Sequence, residues 1–236
     1  MKNILDQVEG IKKRTATVFF IIDQSGSMEG TKIGSVNHAM GESIPEMCKI
    51  VKDSADAELD VAVLLFSNGA TWLTPSPVKV EDFRWNNIDA QCVTDFGAAM
   101  NALNDKLKRT GSGFMNNASE CFAPVFILMS DGQPTDEYKS ALSNLQKNGW
   151  FKNGIKTAIA IGTDADKAML EEFTGSAESV IEVHNASDLA KVIKFVSVAS
   201  SQIATRCSSM SSTQTPVAAA PIITVPDDML DGYDEF

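Results

Sequence analysis

Histidine, cysteine and positive charge are all scarce in this chain. Its 236 residues include two histidines and four cysteines, Cys48, Cys92, Cys121 and Cys207, which stand far apart and form no CxxC pair. Neither a zinc ribbon nor a disulfide framework is indicated by such spacing. Basic residues number 20 against 31 acidic ones, a net charge of −11, which argues against a nucleic-acid surface. No apolar run approaches the ~20 residues that a membrane span requires, and the opening stretch MKNILDQVEGIKKR lacks the apolar core of a signal peptide. Phosphate-binding loops are missing too: Gly26, Gly30 and Gly34 do not match GxGxxG, and Gly30-Thr31-Lys32 is not GxxxxGK. The expectation is a cytoplasmic protein with reduced thiols, no nucleic-acid partner and no membrane partner.

What is present is enough apolar residue for a full core, 44% of the chain, in one domain with short appendages. Ile4, Leu5, Val8 and Ile11 suggest a short docking helix over 3–12 within an N-terminal extension, 1–14. Val18 to Ile22 is an unbroken apolar, β-rich run, read as a strand buried on both faces. Ile33, Val36, Met40, Ile44, Met47 and Val51 give an amphipathic helix, with a kink or break expected at Pro45. Leu59 to Phe66 is a second strand, turned by Ser67-Asn68-Gly69 into Ala70 to Leu73 as an antiparallel hairpin. Residues 74–93 read as loop and Gly111 to Glu120 as a polar connection. Further helices are expected around Phe96–Leu107, around Tyr138–Leu145 (closed by Asn148-Gly149), over Asp166–Phe173 and from Leu189 to Ile203. Strands are expected at Pro124–Met129, Ile155–Ile161 and Val180–Val183. This alternation predicts a doubly wound α/β domain over 15–206: six strands, mostly parallel, one antiparallel edge strand, and helices on both faces.

Such sheets bind ligands at the carboxyl ends of their strands, near the point where the strand order reverses. The first strand ends at Asp23, and Asp23, Ser25 and Ser27 present three short oxygen side chains at alternate positions. Ser130-Asp131-Gly132 follows the later strand in the same way, and Thr94-Asp95 opens the helix before it. Under the common order 3-2-1-4-5-6, taken as a fold prior, these loops overhang one crevice. Asp23, Ser25, Ser27, Thr94 and Asp131 then form an all-oxygen cup suited to a hard cation, Mg²⁺ (or Mn²⁺) before Zn²⁺. Asp-containing turns are also common after strands with no ligand at all; the three segments in order on the right elements favour the metal site.

Asp-x-Ser-x-Ser after strand one, Thr-Asp before a helix and Ser-Asp-Gly after the fourth parallel-type strand resemble the von Willebrand factor A family over roughly residues 15–205. The stretch LMSDGQPTDEY is similar to the bacterial tellurium-resistance, TerY/YegL-like branch. The resemblance implies a metal-ion-dependent adhesion site in which Asp23, Ser25, Ser27, Thr94 and Asp131 match the five positions. It implies a non-enzymatic adaptor that captures a partner's carboxylate at the metal. Within a stress or tellurite-resistance system, a protein kinase and a PP2C-type phosphatase are the implied partners. This chain has no cysteine-rich C-terminal piece of the kind some TerY relatives carry. An AAA+ ATPase is the alternative partner.

An enzymatic alternative is a haloacid-dehalogenase-type phosphatase, with Asp23 as nucleophile and Asp131 and Asp136 as acidic ligands. That chemistry wants a second Asp two residues after the nucleophile as general acid and base, and Ser25 stands there. His38 and His184 read as surface or packing residues. Residues 207–236 read as a disordered acidic tail: beyond Ser208 there are five acidic residues, three prolines and no Lys or Arg. Its end, 221–236, mixes acids with Ile, Met, Leu, Tyr and Phe, which suggests a short motif docking on a partner or, as a minor reading, on the metal.

Overall fold

The computed structural model describes residues 14–52, 57–91, 93–115, 122–163, 165–206, 222–226 and 230. The expected helix over 3–12, three of the four cysteines and most of 207–236 lie outside them. The fold is organised on β1, Arg14–Asp23, whose last eight side chains are buried. Alternation along a strand sends Val18, Phe20 and Ile22 to one apolar layer and Phe19 and Ile21 to the other. A strand with a core on each side must be apolar at every position, which is why this run shows no polar alternation.

Seven strands among the described residues form one sheet: β2 (Ala57–Ser67), β3 (Gly69–Trp72), β4 (Val78–Lys79), β5 (Val125–Ser130), β6 (Ile155–Ile161) and β7 (Val180–Val183) join β1. The order is β3-β2-β1-β5-β6-β7, with β4 also paired to β2. β1, β2, β5, β6 and β7 are parallel. β3 is the antiparallel edge strand expected from Asn68-Gly69, and Gly69 has φ of +84°, a conformation glycine adopts freely. The doubly wound order, with its reversal between β1 and β5, is therefore the one taken from the fold prior.

Helices α1 (Thr31–Lys52) and α6 (Ala186–Arg206) cover one face; α2 (Phe96–Lys106), α3 (Lys139–Gln146), α4 (Gly149–Asn153) and α5 (Lys167–Thr174) cover the other. The second layer is aromatic: Phe19 stacks on Phe126 at 5.2 Å between ring centroids, and Phe126 meets Phe151 at 5.0 Å. Each such buried ring stabilises the fold by about 1.5–3 kcal/mol.

Five local expectations are corrected. Of the kink or break expected at Pro45, the break is absent: Thr31–Lys52 is one helix. Pro45 removes the N–H that Gly41's carbonyl would accept, but both residues are exposed, so water can serve that carbonyl while the opposite face stays packed. The region 74–93 contains β4, antiparallel to β2, and buries Val80, Phe83 and Ile88. In the expected polar connection, Phe114 stacks on Phe19 and meets Trp72 edge-on, and Met115 is buried. Asn148-Gly149 opens α4 rather than closing α3, because the Asn148 side chain accepts a hydrogen bond from Trp150 N–H at 3.0 Å. Within the tail expected to be disordered, Ile222–Pro226 lies on the domain: Ile223 is buried in the α1/α6 layer and Val225 packs against it.

Candidate metal centre

β1 and β5 are neighbours in register Ile22↔Met129, so Asp23 stands level with Ser130. The Ser130 hydroxyl accordingly donates to Asp23 Oδ2 at 2.6 Å and accepts from Gly132 N–H at 2.8 Å. The other Asp23 oxygen, Oδ1, accepts the Ser25 N–H at 2.8 Å, closing the turn after the strand. Ser25 and Ser27 hydroxyls lie 3.0 Å apart, Ser25 buried and Ser27 exposed at the rim. Gln24 N–H bonds to the Phe66 carbonyl at 2.9 Å, fastening the turn to the end of β2.

The Asp131 carboxylate is 1% exposed. Its Oδ2 faces Lys32 Nζ at 3.2 Å, and its Oδ1 is buried with no hydrogen-bond partner among the described residues. Gly132 follows with φ of +72°, and a Cβ there would come within 2.9 Å of Asp166 N, so the turn that aims Asp131 requires glycine.

Thr94 is buried and is tied to the group through its carbonyl, which accepts both Thr135 N–H (2.9 Å) and Thr135 Oγ1–H (3.0 Å). Asp136 completes this clamp by accepting Phe96 N–H at 3.0 Å and Gly97 N–H at 2.7 Å, while Asp95 accepts Ala98 N–H at 3.1 Å. Two carboxylates thus serve the orphan donors at the start of α2. Asp136 is committed to α2 instead of pairing with Asp131 as the phosphatase reading would need. Burial, and then the hydrogen bond with Asp95, raise its carboxyl above the ordinary range; the two N–H donors oppose this.

Asp23, Ser25, Ser27 and Asp131 are therefore brought to one strand end, with Thr94 joined by backbone. Burial pushes the Asp23 carboxyl above its usual range; hydrogen bonds from Ser130 and Ser25 oppose the rise, and the charge of Asp131 adds to it. A hard divalent cation fits this cup. Its donors are all oxygen, it holds two carboxylates whose charges repel, and it leaves a buried carboxylate oxygen unsatisfied. Sequence reasoning missed Ser130, Lys32, Thr135 and the capping role of Asp136. The register of β1 with β5 would have exposed Ser130; nothing local marks the others. His38 and His184 are exposed, beside Glu42 and Glu182.

The von Willebrand factor type A domain family matches residues 17–195. Inter-alpha-trypsin inhibitor heavy chain H1 of Bos taurus is 28% identical over 199 residues, 76% of this chain and 20% of that protein. A von Willebrand factor type A protein from Catenulispora acidiphila has TM-score 0.60 at 17% identity, covering 80% of this chain and 43% of that one. Proximal thread matrix protein 1 from the mussel byssus, with a zinc-occupied MIDAS motif, has TM-score 0.58 at 16% identity, covering 81% and 49%. The chain spans about a fifth of the first of these proteins and under half of the other two. The structural likenesses, at such identities, show the fold.

Proposed function

The chain belongs to the von Willebrand factor type A family, and from that premise we propose that it is a metal-dependent protein-binding module without enzymatic activity. Asp23, Ser25, Ser27, Thr94 and Asp131 hold Mg²⁺ or Mn²⁺, and a partner's Asp or Glu carboxylate completes the ion's coordination. The observation that carries this reading is the buried Oδ1 of Asp131, without a hydrogen-bond partner among the described residues, in an all-oxygen cup. Val93, beside Thr94 and 40% exposed, offers an apolar rim contact to the partner. The commitment of Asp136 to α2 supports binding over phosphoryl chemistry.

The finer placement rests on the LMSDGQPTDEY stretch. On that resemblance the protein is a member of the TerY/YegL-like branch, an adaptor in a stress or tellurite-resistance phosphorylation system with kinase and PP2C-type phosphatase partners; a cytoplasmic location is part of the same proposal. An AAA+ ATPase stays as the alternative partner, and the genes flanking this one discriminate among them. A ligand that binds only the folded state raises the melting temperature with concentration. Wild type is expected to show this with Mg²⁺ and Mn²⁺ and Asp23→Ala to lose it, with no turnover of phosphomonoesters by either. Identical melting responses would end the metal reading; metal-dependent turnover lost in Asp23→Asn would replace it with the phosphatase.

A further inference from the structure

The acidic cup also contains a cation of the protein's own. Lys32 is the second residue of α1, and its Nζ lies 3.2 Å from Asp131 Oδ2, with the lysine side chain 13% exposed and the aspartate 1%. Helical Cα–Cβ bonds tilt toward the N-terminus. A side chain from the first turn of α1 therefore leans back past the start of the helix, where its ammonium meets Asp131. Asp23 and Asp131 bring two negative charges to this end of the sheet, and one ammonium offsets half of them. A lysine stem is flexible and its ammonium is a compact point charge with rotatable donors, so it can withdraw toward water with no movement of the backbone.

We propose that Lys32 is a tethered counter-cation that competes with the divalent ion for Asp131, so that metal loading is an exchange in which the ammonium leaves as the metal arrives. This rests on the metal reading of the same cup. Lys32 then does two opposed things. It steadies the cup when no metal is bound, and it weakens metal binding by occupying one carboxylate oxygen and adding a like charge beside the incoming ion. Loading also moves a charged side chain at the end of the domain that faces the partner.

The test is calorimetric titration with Mn²⁺ and Mg²⁺, together with metal-free melting, on wild type, Lys32→Met, Lys32→Gln, Lys32→Arg and Asp23→Ala. Lys32→Met is expected to bind about tenfold tighter or more, since it removes a positive charge within contact distance of a ligand, yet to melt lower without metal. Lys32→Gln, which keeps a hydrogen-bond donor and drops the charge, carries the same expectation and covers the case in which the methionine variant folds poorly. Lys32→Arg keeps the charge and is expected to bind no tighter than wild type. If wild type binds, Asp23→Ala does not, and neither uncharged variant gains affinity, the competition is wrong while the metal site stands. If no protein in the set binds either ion, the metal site falls and the competition with it.

Discussion

Asp23 and Asp131 end neighbouring parallel strands and are both buried, yet they are held in opposite ways. Asp23 has each oxygen engaged, by the Ser25 N–H and the Ser130 hydroxyl. Asp131 has one oxygen facing the Lys32 ammonium and the other without a partner among the described residues. The first carboxylate is part of the architecture that joins β1 to β5, whereas the second is held open. A binding site of this kind needs both: a fixed carboxylate that sets geometry, and an open one whose unmet demand a ligand can satisfy. The comparison makes a ranked set of expectations about the metal-free protein.

The largest effect is expected at Asp23. Asp23→Ala strands the Ser130 hydroxyl and the Ser25 N–H in a buried place, each worth about 1–3 kcal/mol when left unpaired. Some of that is returned, because a carboxylate raised by burial no longer has to be kept there. A net loss of about 2–3 kcal/mol in denaturant unfolding is expected, besides loss of the metal response. A loss of only a few tenths would mean that Asp23 is as loosely held as Asp131.

Gly97→Ala probes whether the loop bearing Thr94 belongs with the fixed or the open part. A Cβ at Gly97 would collide with Asp136 Oδ2 and come within 3.1 Å of Tyr138 Cα. The clamp between α2 and the 131–136 loop has to shift, at about 1–3 kcal/mol, and metal affinity is expected to fall as Thr94 moves. Loss of stability with unchanged metal affinity would show that Thr94 is no part of the site.

The sequence carried the fixed half of this picture further than the open half. Strand β1 was legible because burial on both faces leaves an unbroken apolar run, and the Asn68-Gly69 hairpin because its glycine takes a positive φ. The positions of Asp23, Ser25, Ser27, Thr94 and Asp131 at strand and helix ends were legible as well, though not what they bind. What was hidden depends on contacts across the chain. Phe114 and Met115 sit among Gly, Ser and Asn, with no periodicity to mark their burial. β4 has two residues, too short for any alternation. Ser130 needs the register of β5 with β1, and Lys32 meets Asp131 from 99 residues away. Ile223 lay in a tail read as disordered, whose apolar end suggested docking on a partner; here Ile223 is buried in the domain's own core.

That segment supplies a control for the comparison. Truncation after Ser212 removes the contacts of Ile223 and Val225. The cost is bounded by the free energy of docking a segment that can detach, because a detached segment makes no further demand on the core. A loss of about 1–2 kcal/mol is expected, at or below the value for burying one isoleucine, with the metal response unchanged. If truncation altered the response to Mn²⁺, the tail would be reaching the cup, and the contrast between the two aspartates would no longer be a property of the strand ends alone.

The smallest effect on the metal-free fold is expected at Asp131, where it is also the most discriminating. Asp131→Asn removes one charge and keeps the shape. It weakens the pairing with Lys32, but the side-chain amide oxygen can still accept from that ammonium, and the lysine can retreat to water. Against this, the repulsion between the two carboxylates disappears, and Asp131 is one of the groups that raises the Asp23 carboxyl. With these opposed, the metal-free stability is expected to change by less than about 1 kcal/mol in either direction. The metal response is expected to vanish all the same, since the proposed metal site uses the oxygen that has no partner among the described residues. Two outcomes would break the comparison. If Asp131→Asn unfolded as easily as Asp23→Ala, the two carboxylates would be equivalent pieces of architecture. If it kept the rise in melting temperature with Mn²⁺, the open oxygen would not be what the metal binds.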